Sequence, residues 1–293
     1  MELDYVKLKE IKPALAGYIR ESQTLLKLSS CPGEKVVHDV RVLMKKSRAA
    51  LKLSGPRTDM DSFERDNKSL REVGRIMRFW RESAVQRKIL KELRKEYPAI
   101  FNGLHDHEKL AALLEKTVPA TEPVEEIKTG LELIMELLYK TGYRIRFQSM
   151  NTIEPQQLIK KFELTYKSVA DIFLIARNNP KPENLHEFRK KTKTFLYQLY
   201  FFRPLNTSVI KALEKKLENL AQNLGKYNDL AQLVRTLGYK YTDGANLPAL
   251  DELVVKIREK QDNYLAKVWP VSYKIFCPGQ KLVNVLGFKL LVI

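Results

Sequence analysis

The chain has 293 residues, 44% of them hydrophobic, with 52 Lys and Arg against 35 Asp and Glu and a formal net charge of +17. That apolar content supplies a packed core for one large domain or two smaller ones and excludes a disordered chain, and no apolar run approaches the roughly 18 residues that a membrane span needs. Cys31 and Cys277 lie far from each other and from any His at metal-ligand spacing, which excludes a zinc knuckle or a disulfide framework and leaves two packing residues. The start, Met1-Glu2-Leu3-Asp4, has no apolar signal core, so the expected location is the cytoplasm.

Glycine is sparse, and proline falls mainly between long segments whose apolar residues recur at helical spacing, which predicts an all-α fold. In chain order the helices are expected over Asp4–Leu28, Glu34–Leu53, Met60–Tyr97 with a break near Glu82, His105–Lys116 and Val124–Lys140. Pro119 and Pro123 mark a loop, and Thr141-Gly142 is expected to end a helix. The second half continues with Pro155–Arg177, Glu183–Phe202, Thr207–Leu237 with a break near Gly225, and Leu247–Val268. The apolar, β-branched tail Cys277–Ile293 either caps the bundle or forms a dimer contact.

The segment PGEKVVHDVRVLMK, from Pro32 to Lys45, lines up with PKPENLHEFRKKTK, from Pro180 to Lys193, 148 residues later. In both copies Pro precedes His, Arg follows three residues after His and Lys seven after it: His38, Arg41, Lys45 and His186, Arg189, Lys193. Arg81-Glu82 aligns with Asn228-Asp229 at an offset of 147. These matches predict a duplicated helical unit, 1–142 and 143–293, forming one domain together.

On an ideal helix Val37, Val40, Met44, Ser47 and Leu51 form one stripe, and His38, Arg41, Lys45, Arg48 and Lys52 a second about 100° around from it. The later copy places Leu185, Phe188, Thr192, Phe195 and Leu199 beside His186, Arg189, Lys193 and Tyr200. Cations that flank a core stripe pack their stems and point their heads into a groove, an arrangement suited to a polyanion. The plainer alternative is that Asp or Glu of a neighbouring helix pairs with each of them.

At these residues the chain resembles the CHAD family, the conserved histidine α-helical domain. HDVRVLMKKSRAAL matches the family pattern at His38, Arg41, Val42, Lys45, Lys46 and Arg48, and LHEFRKKTKTFLY matches at His186, Arg189, Lys190, Lys193 and Tyr197. It departs at Leu196, where the pattern suggests Arg, and at Thr194. LGKYND, Leu224 to Asp229, resembles the family's Leu-Gly segment, whose glycine is replaced by Arg78 in the first half. The resemblance implies two helical bundles related by pseudo-two-fold symmetry around a basic central channel that binds inorganic polyphosphate. It assigns His38, Arg41, Lys45, Lys46, Arg48, Lys52, His186, Arg189, Lys190 and Lys193 to that ligand. Arg71, Arg75, Arg78, Arg81 and Lys226 are further candidates for its walls, with an ordinary solvated helix face as their other reading.

No carboxylate cluster for Mg²⁺, no Gly-rich phosphate loop and no nucleophile motif accompanies the histidines, so neither catalysis nor a cofactor or metal is expected. His105 and His107, two apart, do not share a helix face. The expected activity is non-catalytic polyphosphate binding, on polyphosphate granules or beside a polyphosphate-metabolising enzyme, with no membrane partner. The alternatives are a helical nucleic-acid binder for RNA and a phosphatase acting on polyphosphate. Most Tyr and Phe fall at core spacing, which disfavours the first of these.

Overall fold

The computed structural model describes residues 11–28, 32–55, 60–104, 124–147, 155–238 and 248–290, with the side chains of 79, 81–83, 124 and 155 left aside. All regular structure among them is helical: α1 (Ile11–Lys27), α2 (Glu34–Ser54), α3 (Met60–Glu96), α4 (Pro98–Asn102), α5 (Val124–Phe147), α6 (Pro155–Asn178), α7 (Pro182–Leu199), a 3₁₀ turn (Tyr200–Leu205), α8 (Thr207–Thr236), α9 (Pro248–Phe276) and α10 (Leu282–Leu286). The expected helix His105–Lys116, the loop at Pro119 and Pro123, the start of the first helix and Cys31 lie outside the described residues.

Four expected helix breaks or ends differ from the structure, one of them at Val268, past which α9 continues to Phe276. α3 runs unbroken through Glu82 and α8 through Gly225, and α5 continues past Gly142 to Phe147. Glycine weakens a helix without ending it when both flanks are held by packing. Gly142 sits where α1 crosses closely: a Cβ there would lie 3.3 Å from Ile19 Cγ2.

α1 packs on α2, α2 on α3, α3 on α5, and α5 back on α1. The same closed order recurs in α6 on α7, α7 on α8, α8 on α9, and α9 on α6. The two sets meet where α2 packs against α7 and α6, and where α3 meets α8. All five residues of each apolar stripe read from the sequence are buried. Phe162, Phe195 and Phe202 stack in the core beside them, with centroids 4.9 and 4.1 Å from Phe162. Burial of such side chains, each contributing about 1.5–3 kcal/mol, is what fixes the two helices face to face.

Polar contacts set the register of that seam. Gln198 Nε2 donates to the Ala49 carbonyl at 3.1 Å. α2 ends at Gly55, whose φ of 69° with ψ of 175° is a backbone conformation that glycine adopts without strain, and its N–H returns to the Leu51 carbonyl. Lys161 Nζ lies where a Cβ of residue 55 would stand and donates to the Ser54 carbonyl at 2.8 Å, tying α6 to the end of α2. In the tail, Leu282 and Leu286 are buried in the core and α10 packs on α8; Cys277 is a free thiol. Among the described residues no helix is long and apolar enough to cross a membrane.

Candidate anion-binding site

The seam brings together charged residues that are more than 140 positions apart in the chain. Lys45 of α2 faces Arg189 and Lys193 of α7, Arg41 of its own helix and Asp229 of α8. Loss of hydration is the largest influence on its ammonium, followed by Arg189, Arg41 and Lys193. Among the described residues Asp229 acts in the other direction, and the result is a pKa lowered to about 7. Lys45 nonetheless keeps exposed area, so it is set back among protein atoms yet reachable from solvent.

Both arginines of the repeated motif are aimed by a neighbouring backbone. Arg41 Nη1 donates to the Gly74 carbonyl on α3, and Arg189 Nε donates to the Ala221 carbonyl on α8 at 3.2 Å. Gly74 and Ala221 stand 147 residues apart, the offset of the sequence repeat in that region. A carbonyl orients a guanidinium without neutralising it. Arg189 also lies flat on α8 at Gly225, where an added Cβ would come within 3.1 Å of both its Nε and Nη2.

A second group of cations extends from this cluster. Lys52 is pushed down by burial, then by Arg48 and Lys190, with Lys191 adding to them and Glu187 opposing. Arg48 is lowered by burial and by Arg71, and its Nε donates to the neutral Asn67 Oδ1 at 3.0 Å. Lys190 is paired with Glu187 at 2.8 Å, both exposed. His186 is lowered by burial, then by Arg189 and Lys190 against Glu187, with Arg78 contributing less. His38 is exposed near the start of α2.

Other residues of the sequence-derived set point elsewhere. Lys46 sits between two rings, 5.7 Å from the Tyr18 centroid and 5.9 Å from that of Tyr200. These line a cleft of about 420 Å³ with Ala14, Phe201 and Arg203. Arg75 is exposed and forked onto Glu72, with Nη2 2.6 Å from Oε1, a pair readable from its i, i+3 spacing. Lys226 lies over Tyr264 at 5.5 Å, and the side chain of Arg81 lies outside the described residues. Lys191, Asp229 and Gly225 were not among the predicted site residues. Lys191 continues the basic run of α7, whereas the part played by Asp229 and Gly225 depends on α8 lying beside α7.

The family model of the CHAD domain matches residues 29–238. The chain belongs to the CHAD family. No curated protein matches it. The matched span of this CHAD domain begins just before α2 and ends just after α8, so it contains both motif helices, α2 and α7, together with the helices carrying Gly74 and Ala221. Its departures from the family pattern now have positions: Leu196 is fully buried in the core, and Thr194 donates its hydroxyl to the Lys190 carbonyl at 3.1 Å. Among the described residues of the domain, no group of three or more His, Cys, Asp or Glu is placed to hold a metal ion.

Proposed function

We propose that this CHAD domain binds inorganic polyphosphate along the seam of α2 and α7 and performs no chemistry on it. The observation that carries the reading is the convergence of Arg41, Lys45, Arg189 and Lys193, crowded enough to bring Lys45 to about 7. Crowded cations raise the free energy of the empty site, and an anion with regularly repeated charges relieves that repulsion at each of them. The forked guanidiniums grip phosphoryl oxygens and the lysines act as point charges. The two halves, 1–142 and 143–293, are on this reading copies of one helical unit, each supplying one wall of a basic channel. Family membership supports a polyphosphate ligand, and the domain would serve in the cytoplasm, at polyphosphate granules or beside an enzyme that metabolises the polymer.

RNA is the less suited polyanion, because single-strand binding gains most from exposed stacking rings beside the cations. Tyr197 and Tyr227, the tyrosines of the two motif segments, are buried. The test is a titration of long-chain polyphosphate, single-stranded RNA and duplex DNA at physiological salt, with wild type and R41E/R189E. Mutant-sensitive polyphosphate binding that RNA does not displace is the expected result, with helical content unchanged. Equal or tighter RNA binding, or full polyphosphate binding by the double variant, overturns the assignment.

A further inference from the structure

The repeat relates the two ends of the seam, and they differ in charge. At one end stand Arg48 and Lys52 from α2 with Lys190 and Lys191 from α7, and Arg71 beside Arg48, against Glu187. In the register of 148, the counterparts of Arg48 and Lys52 are Leu196 and Tyr200, and those of Lys190 and Lys191 are Val42 and Leu43. Leu196 and Leu43 are buried and Val42 is half-buried. Beyond the His, Arg and Lys positions that the two copies share, the cations at one end are thus replaced by apolar or aromatic groups at the other.

The apolar end is filled from its own surroundings. Tyr200 carries Arg203 over its ring at 4.3 Å and donates its hydroxyl to Glu218 at 3.0 Å. Arg203 is forked onto the buried Glu214 at 2.7 and 2.8 Å. Lys46 is held on the faces of Tyr18 and Tyr200. Apart from Arg41, which belongs to the Lys45 cluster, the positive charges named at this end are matched by carboxylates or spread over ring faces, and beyond that cluster the end offers an anion little net attraction.

We propose that the site is one-armed: a linear polyphosphate chain lies on the Lys45 cluster, runs outward over Arg48, Lys52, Lys190 and Lys191, and stops at the aromatic end formed by Tyr18, Lys46 and Tyr200. This rests on the polyphosphate reading above and adds a direction and a length requirement to it. Lys45 and Lys52 are seven residues apart on one helix, about 10 Å along its axis. Tripolyphosphate is short enough to occupy the Lys45 cluster alone, whereas a long chain covers cluster and arm together. The arm therefore discriminates by chain length, and the aromatic end does not.

The experiment compares tripolyphosphate with long-chain polyphosphate on the full chain, using wild type, R48Q/K52Q, K52Q alone and K46Q. R48Q/K52Q is expected to weaken long-chain binding about ten-fold or more and to leave tripolyphosphate within about two-fold. K52Q, which removes only an exposed lysine head, shifts the same ratio in the same direction should the double variant fold poorly. K46Q leaves both ligands within about two-fold. If K46Q costs the long chain as much as R48Q/K52Q, or if the arm variants weaken both ligands equally, the one-armed site is wrong while polyphosphate binding stands. Wild type that binds neither ligand overturns the underlying reading, and this proposal with it.

Discussion

Lys45 carries the most direct consequence of the arrangement, because its ammonium titrates close to neutral pH. Its folded pKa, about 7, lies below the ordinary lysine value of 10.5 through lost hydration and through Arg189, Arg41 and Lys193, against the opposing Asp229. A lysine lowered in this way penalises the folded state while charged. The penalty is full below pH 7, and is progressively relieved as the pH rises from about 7 towards the unfolded value. A bound polyanion favours the charged form, so binding at pH 8 should take up a proton and affinity should fall as the pH rises above 7. Calorimetry of polyphosphate binding in buffers of different ionisation enthalpy measures that uptake directly. Lys45→Met should reduce the uptake, weaken binding and raise the melting temperature of the free protein, more at pH 6 than at pH 9. Unchanged proton uptake in this variant would mean that Lys45 stays charged in the free protein. His186, also lowered, moves in the same direction at more acidic pH.

At the scale of the helices, the decisive feature is that each motif arginine is aimed by the helix that follows it. Gly225 lets Arg189 lie on α8, and a Cβ there would stand 3.1 Å from two guanidinium nitrogens. Gly225→Ala should leave stability unchanged or raise it by up to about 1 kcal/mol, since alanine is the better helix former and the displaced group is the end of a flexible side chain. Polyphosphate affinity should nevertheless fall by about ten-fold, as Arg189 loses its place at the Ala221 carbonyl. Gly74→Ala is the control, because a Cβ at 74 meets nothing within 4 Å. Equal affinities for the two variants would refute a positioning role for Gly225. This contact also marks how far the sequence could be read. Periodicity located the long described helices and their buried stripes, though not the short α4 and α10, and the His, Arg and Lys spacing singled out α2 and α7. It could not foresee that Lys46 is captured by Tyr18 and Tyr200, which come from two other segments, or that Gly225 serves a close approach instead of a break. Those outcomes depend on which helices become neighbours, and a linear pattern does not contain that information. The Glu72–Arg75 pair was legible, being local.

Over the whole molecule the excess of 17 positive charges sets two opposite responses to salt. In the free protein, like charges from α2 and α7 face one another across the seam that joins the two sets of helices, so folding concentrates repulsion where the halves meet. At 0.15 M ionic strength the screening length is about 8 Å, short enough to damp interactions within such a cluster. Sodium chloride should therefore raise the melting temperature of the free protein between low and moderate concentration. The same salt should weaken polyphosphate binding, because each phosphate contact releases condensed counterions whose return is favoured at high salt. Polyphosphate itself stabilises whatever it binds in the folded state, by about 2.7 kcal/mol at a hundred times its dissociation constant. Melting curves across a chloride series, with and without long-chain polyphosphate, should thus converge as salt increases: the free protein's midpoint climbs while the increment from ligand shrinks. In R41E/R189E, where acidic groups replace two of the facing cations, both trends should flatten together. A free-protein midpoint that falls with chloride would show that the seam is not under repulsion, and the cluster would then lose its reason to hold an anion.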